Sequence, residues 1–351
     1  MFDFSTTAIQ QMVIHQVGNK LRDEGIFVSP AAYAMKDGNL EELMMKYFLS
    51  SFKDKAFYKF NTNLNDLYVS LCNIFVDPSK FHAESVNILK TLYEKSSHPQ
   101  IRSGEFYMVH FTDCIVNEQK TNAIGIFKTE KKDTYLKVTR YAQEFVVGSE
   151  KCINTKKLDK GCIVFNIDSN DGFRVALVDN AKKGNSEGLY WQDDFLKLIK
   201  VQDSYFHTEN CLMVCQDFVE NIYGEIHQAD KKDKVVLMND AVEYFNRHSK
   251  FDLEDFVQEV IKEPELIEQF KGHKESFDIN QGLAATEVFD ISTPAVKVAK
   301  RKFKNLIKLD TDFEIKVKNS SAEGGNMHFI ERGFDEEKGM HFYKVFFHEE
   351  E

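Results

Sequence analysis

Two hydrophobic periods alternate along this chain, and the points where one gives way to the other outline its elements. Ala8 to Val17 reads as a strand, and Gly25 to Ser29 as a second, short one. Leu40 to Ser50 then turns helical. Asn61 or Asn63 is placed to cap a helix with Leu64, Leu67, Leu71, Ile74 and Phe75 inward. From Phe81 to Lys95, Val86, Leu89, Leu92 and Tyr93 fall on one side of a further helix. At Gly104 the character changes. Gly104 to Val116, Asn122 to Lys128 and Thr134 to Val147 are rich in β-branched and aromatic residues with short polar breaks, which predicts an antiparallel meander. Gly161 to Asp168 and Phe173 to Val178 form a strand pair. It turns at Asn170-Asp171-Gly172, residues that tolerate positive φ.

After about residue 190 the chain reads as helical: Ser204 to Tyr223, Val235 to His248, Leu253 to Val260, and Pro264 to Phe270 or beyond. Thr293 as a cap and Pro294 at the first helical position open another helix, over 294–304. From Ile307 to Lys318 apolar and charged residues alternate strictly, the cleanest period-two pattern in the chain. Gly324-Gly325 marks a turn, and Met327 to Ile330 and Met340 to Phe347 complete a small sheet. The pattern predicts an α+β fold. Residues 1–200 form an antiparallel sheet with flanking helices, and residues 201–351 form a helical part ending in a small antiparallel sheet.

Charge changes this picture at one place. The net charge of -11 argues against binding nucleic acid over the whole surface, since phosphate neutralisation supplies most such affinity. Yet Lys297, Lys300, Arg301 and Lys304 recur at i, i+3, i+4 and i+7, with Lys302 beside them and Val296, Ala299 and Phe303 on the opposite arc. This is one compact cationic helix face on an acidic protein. Its plainer reading is a solvated face. Asp252, Glu254, Asp255, Glu259, Glu263, Glu265 and Glu268 are its mirror, read either as solvated helices or as a partner for the basic face. The opening MFDFSTTAIQQ lacks the features of a signal peptide, and no stretch approaches the roughly 18 apolar residues of a membrane span. The expectation is a cytoplasmic protein without a membrane partner.

Candidate chemistry is sparse. Six scattered cysteines, with no CxxC among them, read as buried thiols. His207, Cys211 and Cys215 share one helix stripe, but ligands spread over about 12 Å of axis cannot close around one ion. Asp310 and Asp312 would share a strand face, where a hydrolytic metal site is conceivable and a solvated face is the plainer reading. The D-x-N-D-G around Asn170 glances at a calcium loop, with its glycine one place early. Phosphate-binding, dinucleotide-binding, zincin and nucleophile-elbow motifs are all missing, so no catalytic residue, metal or cofactor is assigned.

Several segments carry a family resemblance: IQQMVIHQVGNK, then GEFYMVHFTDCIVNEQKTNAIGIFK, then DKGCIVFNI followed by FRVALVDN. FLKLIKVQDSYFHTENCLMVCQDFVENIYG and a basic helix leading into IKLDTDFEIKVK complete the series. In order and spacing over most of its length the chain resembles the bacterial nucleoid-associated protein family typified by NdpA (YejK). The resemblance implies a cytoplasmic, nucleoid-localised bacterial protein, associated with DNA or with DNA-handling proteins such as type II topoisomerases. It carries over no catalytic residues. It also implies a Gly-Arg and further basic residues after FLKLIK, where this chain has Val201-Gln202-Asp203-Ser204. Phosphate binding would then rest on Lys297, Lys300, Arg301 and Lys304. The expectation is a non-enzymatic, homo-oligomeric protein that touches double-stranded DNA weakly through these residues. A protein-interaction module with no direct DNA contact is one alternative. A metal-dependent nuclease is the other.

Overall fold

The computed structural model describes residues 2–52, 56–63, 65–180, 190–224, 229–302, 306–316 and 329–349. The chain forms two compact units, Met1–Val201 and Gln202–Glu351.

The N-terminal unit runs β1 (Phe2–Asp3), β2 (Ala8–Val17), β3 (Ile26–Phe27), α1 (Gly38–Leu49), β4 (Tyr58–Phe60), α2 (Asp66–Val76) and α3 (Phe81–Lys95). It continues with β5 (Gly104–Val116), β6 (Gln119–Lys128), β7 (Asp133–Tyr141), β8 (Glu144–Cys152), β9 (Lys160–Phe165), β10 (Arg174–Asp179) and β11 (Leu198–Lys200). Nine of these strands form one antiparallel sheet in the order β11-β4-β10-β9-β6-β5-β2-β3, with β1 paired to β5.

Both faces of this sheet are covered. Val13, Phe106, Met108, Ile124, Ile126, Cys162 and Val164 meet α2 and α3 on one face. Tyr107, Val109, Phe111, Phe127, Ile163 and Phe165 meet α1 on the other, where Phe48 stacks on Phe127 at 4.4 Å. That is why all six residues of β9 are buried, where a sheet with one wet face would alternate.

The meander ends after two strands. β6 has β9 as its next neighbour, and Thr134 to Val147 is not one strand but the turn-containing part of a hairpin, β7 against β8. Ala142 takes the left-handed conformation at that turn, at φ 54°. The cap of α2 is Asn65 rather than Asn61 or Asn63. Its side chain accepts from the amides of Leu67 and Tyr68. The β9–β10 pair forms, but its connection is a single 3-10 turn over Ser169–Asp171, closed by Gly172 at φ 89°. A Cβ on Gly172 would lie 2.3 Å from the carbonyl oxygen of Phe60, so the close approach of β4 requires glycine. Lys59 and Arg174 bind Asp171, and Arg174 binds Asp168. The carboxylates of the calcium-like motif are thus committed to cations.

The C-terminal unit runs α4 (Ser204–Phe218), α5 (Lys231–Arg247), β12 (Lys250–Asp252), α6 (Leu253–Phe256), α7 (Pro264–Asn280), β13 (Val288–Asp290) and α8 (Thr293–Lys302). Two hairpins follow: β14 (Leu306–Lys308) with β15 (Glu314–Lys316), and β16 (Ile330–Asp335) with β17 (Met340–Val345). The helices enclose a core of Leu212, Phe218, Leu237, Ala241, Phe245, Phe256, Phe270, Val296 and Ala299. Single π turns prolong α4 through Tyr223 and α6 through Ile261. Ile307 to Lys316 is not the single strand its alternation predicts. The amide of Leu309 donates to the carbonyl of Phe313, and Asp312 takes φ 62°, so the chain doubles back.

Candidate nucleic-acid interface

α8 is set by its first turn and its buried side. The amide of Val296 donates to the carbonyl of Ser292, which makes Thr293 the first helical residue rather than the cap. Pro294 falls in the first turn, where an amide has no intrahelical partner to lose. The Ser292 amide in turn donates to Oγ1 of Thr208 on α4, at 2.9 Å. Thr208 is fully buried, and its own hydroxyl donates to the carbonyl of Ser204. Ala295, Val296 and Ala299 are buried, and these small residues let α8 pack against α4 and α5.

Burying that side turns the cations outward. Lys297, Lys300 and Arg301 are all exposed. At i, i+3 and i+4 they are neighbours on one face, within about 6 Å of helix axis. Among the described residues no carboxylate pairs with any of them. Lys304 and Phe303 lie outside the described residues. Lys308 is a strand residue bound to Glu314 at 2.7 Å, so it does not extend the face.

The acidic stretch has other partners. Glu254 binds Lys271, Glu259 approaches both Arg247 and His248, and Asp252 caps α6. Among the described residues no ion pair joins Asp252, Glu254, Asp255 or Glu259 to Lys297, Lys300 or Arg301.

The remaining candidates resolve into packing. Cys211 and Cys215 are buried, and the Cys215 thiol is pushed well above its ordinary value by its hydrogen bond with Cys211 and by burial. His207 lies against the rings of Phe206 and Phe289, and burial holds it below its ordinary value. Beside it Asp278 accepts from Nδ2 of Asn210 at 2.8 Å and from Nζ of Lys274 at 2.7 Å. Asp310 and Asp312 sit in the β14–β15 turn, not on one strand face as expected, because the chain reverses between their flanking strands. Among the described residues no cluster of His, Cys, Asp and Glu could hold a metal ion.

A second concentration of charge, in the N-terminal unit, escapes sequence reasoning altogether. Lys128 and Lys160 end adjacent strands with their ammonium groups buried. Lys128 Nζ meets Oε1 of Glu130 and the carbonyl of Arg102, each at 2.8 Å, and lies 3.3 Å from the hydroxyl of Tyr190. Lys160 Nζ is 3.0 Å from Oδ1 of Asp179. Both ammoniums lie over the Tyr190 ring, at 5.6 and 5.1 Å. Asp159 accepts from the amides of Glu130 and Lys131. Burial pulls Lys128 below its ordinary value, against the pull of Glu130.

The family model described as nucleoid-associated protein YejK matches residues 13–336. The chain belongs to this family. Its members are nucleoid-associated and generally non-enzymatic. The match takes in the whole sheet except β1 and the start of β2. It also takes in α8 and its cations. No individual curated protein matches the chain. Among the described residues no helix is long and apolar enough to cross a membrane.

Proposed function

We propose that this protein binds double-stranded DNA without catalysis, through phosphate contacts from Lys297, Lys300 and Arg301 on α8, with Lys304 extending the row. The observation that carries the reading is a helix with its apolar side buried on α4 and α5 and three exposed cations free of described carboxylates. Membership of a nucleoid-associated family supports it. Such contacts touch backbone, not base edges, so binding is weakly selective for sequence. Four phosphate contacts give log affinity a slope of about -3.6 against log salt. Fluorescence anisotropy with a duplex, from 50 to 200 mM salt, measures this slope. Lys300→Glu/Arg301→Glu is expected to abolish binding at the higher salt. Unchanged binding would remove the assignment.

A second reading has the protein reach the nucleoid through basic or DNA-handling partners such as type II topoisomerases, with its acidic surface as the contact. The net charge of -11 and exposed Glu254, Asp255, Glu265 and Glu268 favour it. Capture of purified topoisomerase in nuclease-treated extract, retained by Lys300→Glu/Arg301→Glu, separates it from the first reading.

A further inference from the structure

We propose that Val28 to Asp37 forms a strap across β2 that acid releases while the sheet itself stays folded, with protonation of the buried His15 as the trigger. The strap runs from β3 to α1. β3 pairs with β2 only at Gln16 and Val17. Further towards the start of β2 the strap takes over. Oγ of Ser29 donates to the carbonyl of Ile14, and the amide of Tyr33 donates to the carbonyl of Met12 at 2.7 Å. Eight of the ten strap residues are exposed, and Ser29 and Met35 are half-buried. Hydrogen bonds rather than apolar burial therefore hold it, which is the make-up of a segment that opens locally.

The bonds converge on Ser29, and two histidines hold it. Its amide donates to Nδ1 of His15 at 3.1 Å, and its carbonyl accepts from Nε2 of His82 at 2.8 Å. His15 is 2 % exposed. Because Nδ1 is an acceptor here, the ring hydrogen sits on Nε2, which meets Oγ of Ser85 at 3.0 Å. A proton added at Nδ1 would point at the Ser29 amide, donor against donor, in a buried site. His82 donates in either protonation state, so its own titration leaves its bond to the strap in place.

The groups around His15 do not compensate such a proton. From α3 it meets His82 and Ser85, from β5 the ring of Phe106, and from the strap Ser29. His110, on the same face of β5, stands opposite Gln11, and Glu105 is bound to Lys132. Glu84 on α3 is taken up by Asn73 and Asn87, Asp37 accepts from the Asn39 amide in the first turn of α1, and Lys36 is exposed. Burial and the charge of His82 both oppose the charged ring. Lifting the strap resolves the conflict, because the Ser29 amide leaves and water accepts from Nδ1. Global unfolding would do the same at the cost of the whole core, so the strap gives way first. The lifted state takes up one proton. Its population therefore rises about tenfold per pH unit as pH falls from 6.5 towards 4. It leaves the carbonyls of Met12 and Ile14 on an open sheet edge.

Amide hydrogen exchange of the full chain, followed from about pH 7 to about pH 4.5 and corrected for the free-peptide rate at each pH, tests this. The amides of Ser29 and Tyr33 are expected to lose protection about tenfold per pH unit below 6.5, and to exchange well before those of β5 and β6. His15→Gln removes the titrating ring and is expected to flatten that dependence. Strap amides that exchange only together with β5 and β6, or whose protection is independent of pH, overturn the proposal. So does a folded His15→Gln variant that keeps the wild-type slope. Should that variant not fold, the comparison of strap and sheet within the wild-type chain decides.

Discussion

Lys128 and Lys160 carry the same charge as Lys297 and Lys300, and the fold treats the two pairs in opposite ways. In the N-terminal unit each ammonium is buried, held by a carboxylate and set over the ring of Tyr190. In the C-terminal unit the ammoniums stand in solvent, with no described carboxylate beside them. A buried charge that loses its partner is expensive, while an exposed one is nearly free to change. The first pair is therefore committed to holding the end of β6 and β9 against the turn that starts at Tyr190. The second is available to a ligand. Charge by itself indicates neither role; the environment decides.

The sharpest way to break this contrast is Lys128→Ala. It strands Glu130 without its cation, and a loss of about 3–5 kcal/mol in urea unfolding is expected. Lys300→Ala is expected to change stability by less than about 0.5 kcal/mol. Equal losses in the two variants would refute the division of roles.

A neutral buried group extends the contrast to pH. His15 Nδ1 accepts from the Ser29 amide, and Nε2 therefore donates to Oγ of Ser85, which donates to the carbonyl of His82. Burial, with a smaller contribution from His82, lowers the His15 pKa to about 4. A folded value below the unfolded 6.5 means that the unfolded chain binds the proton more tightly. This stability is full above pH 6.5 and is lost as pH falls towards 4, by up to about 3 kcal/mol. Urea titrations of wild type and His15→Gln between pH 7 and 4 measure it. The variant should show the shallower decline.

A smaller effect is expected at the seat of the cationic helix. Thr208→Val removes the acceptor for the Ser292 amide and is expected to lower stability by about 1–2 kcal/mol. DNA binding by the folded variant should fall with it if α8 must be held in place. Smallest in stability, and largest in binding, is Lys300→Glu/Arg301→Glu. Its unfolding midpoint should match wild type, while the salt slope of any residual binding drops by about 1.8.

Long, regular elements were legible before the structure. β2 and α3 have the bounds their periods predict, because each keeps one buried stripe over three or more turns or pleats. The reversals inside β7–β8 and β14–β15 were not. Ala142-Gln143 carries none of the usual turn residues, and Asp310-Thr311-Asp312 keeps the period-two pattern straight through a turn. β1, β4 and β11 to β13 have two or three residues each, too few for a period to register, whereas the equally short β3 falls inside the strand read at Gly25 to Ser29. Of the candidate site, the spacing placed Lys297, Lys300 and Arg301 on one exposed face. It could not reveal Thr208, whose role depends on where α4 meets α8. Nor could it reveal Lys128 and Lys160, because lysine at a strand end reads as solvated until the sheet closes over it.

The strand order of the sheet also sets when it can be finished. β4 lies between β10 and β11, so its two neighbours come late in the chain. Roughly 140 residues separate β4 from β11, which at about 5–20 residues per second of synthesis leaves β4 waiting on the order of ten seconds on the ribosome. The β2, β5 and β6 strands have each other as partners long before that. The central hairpin thus forms a stable seed early, and the last register to lock is the edge that carries Tyr58 to Phe60.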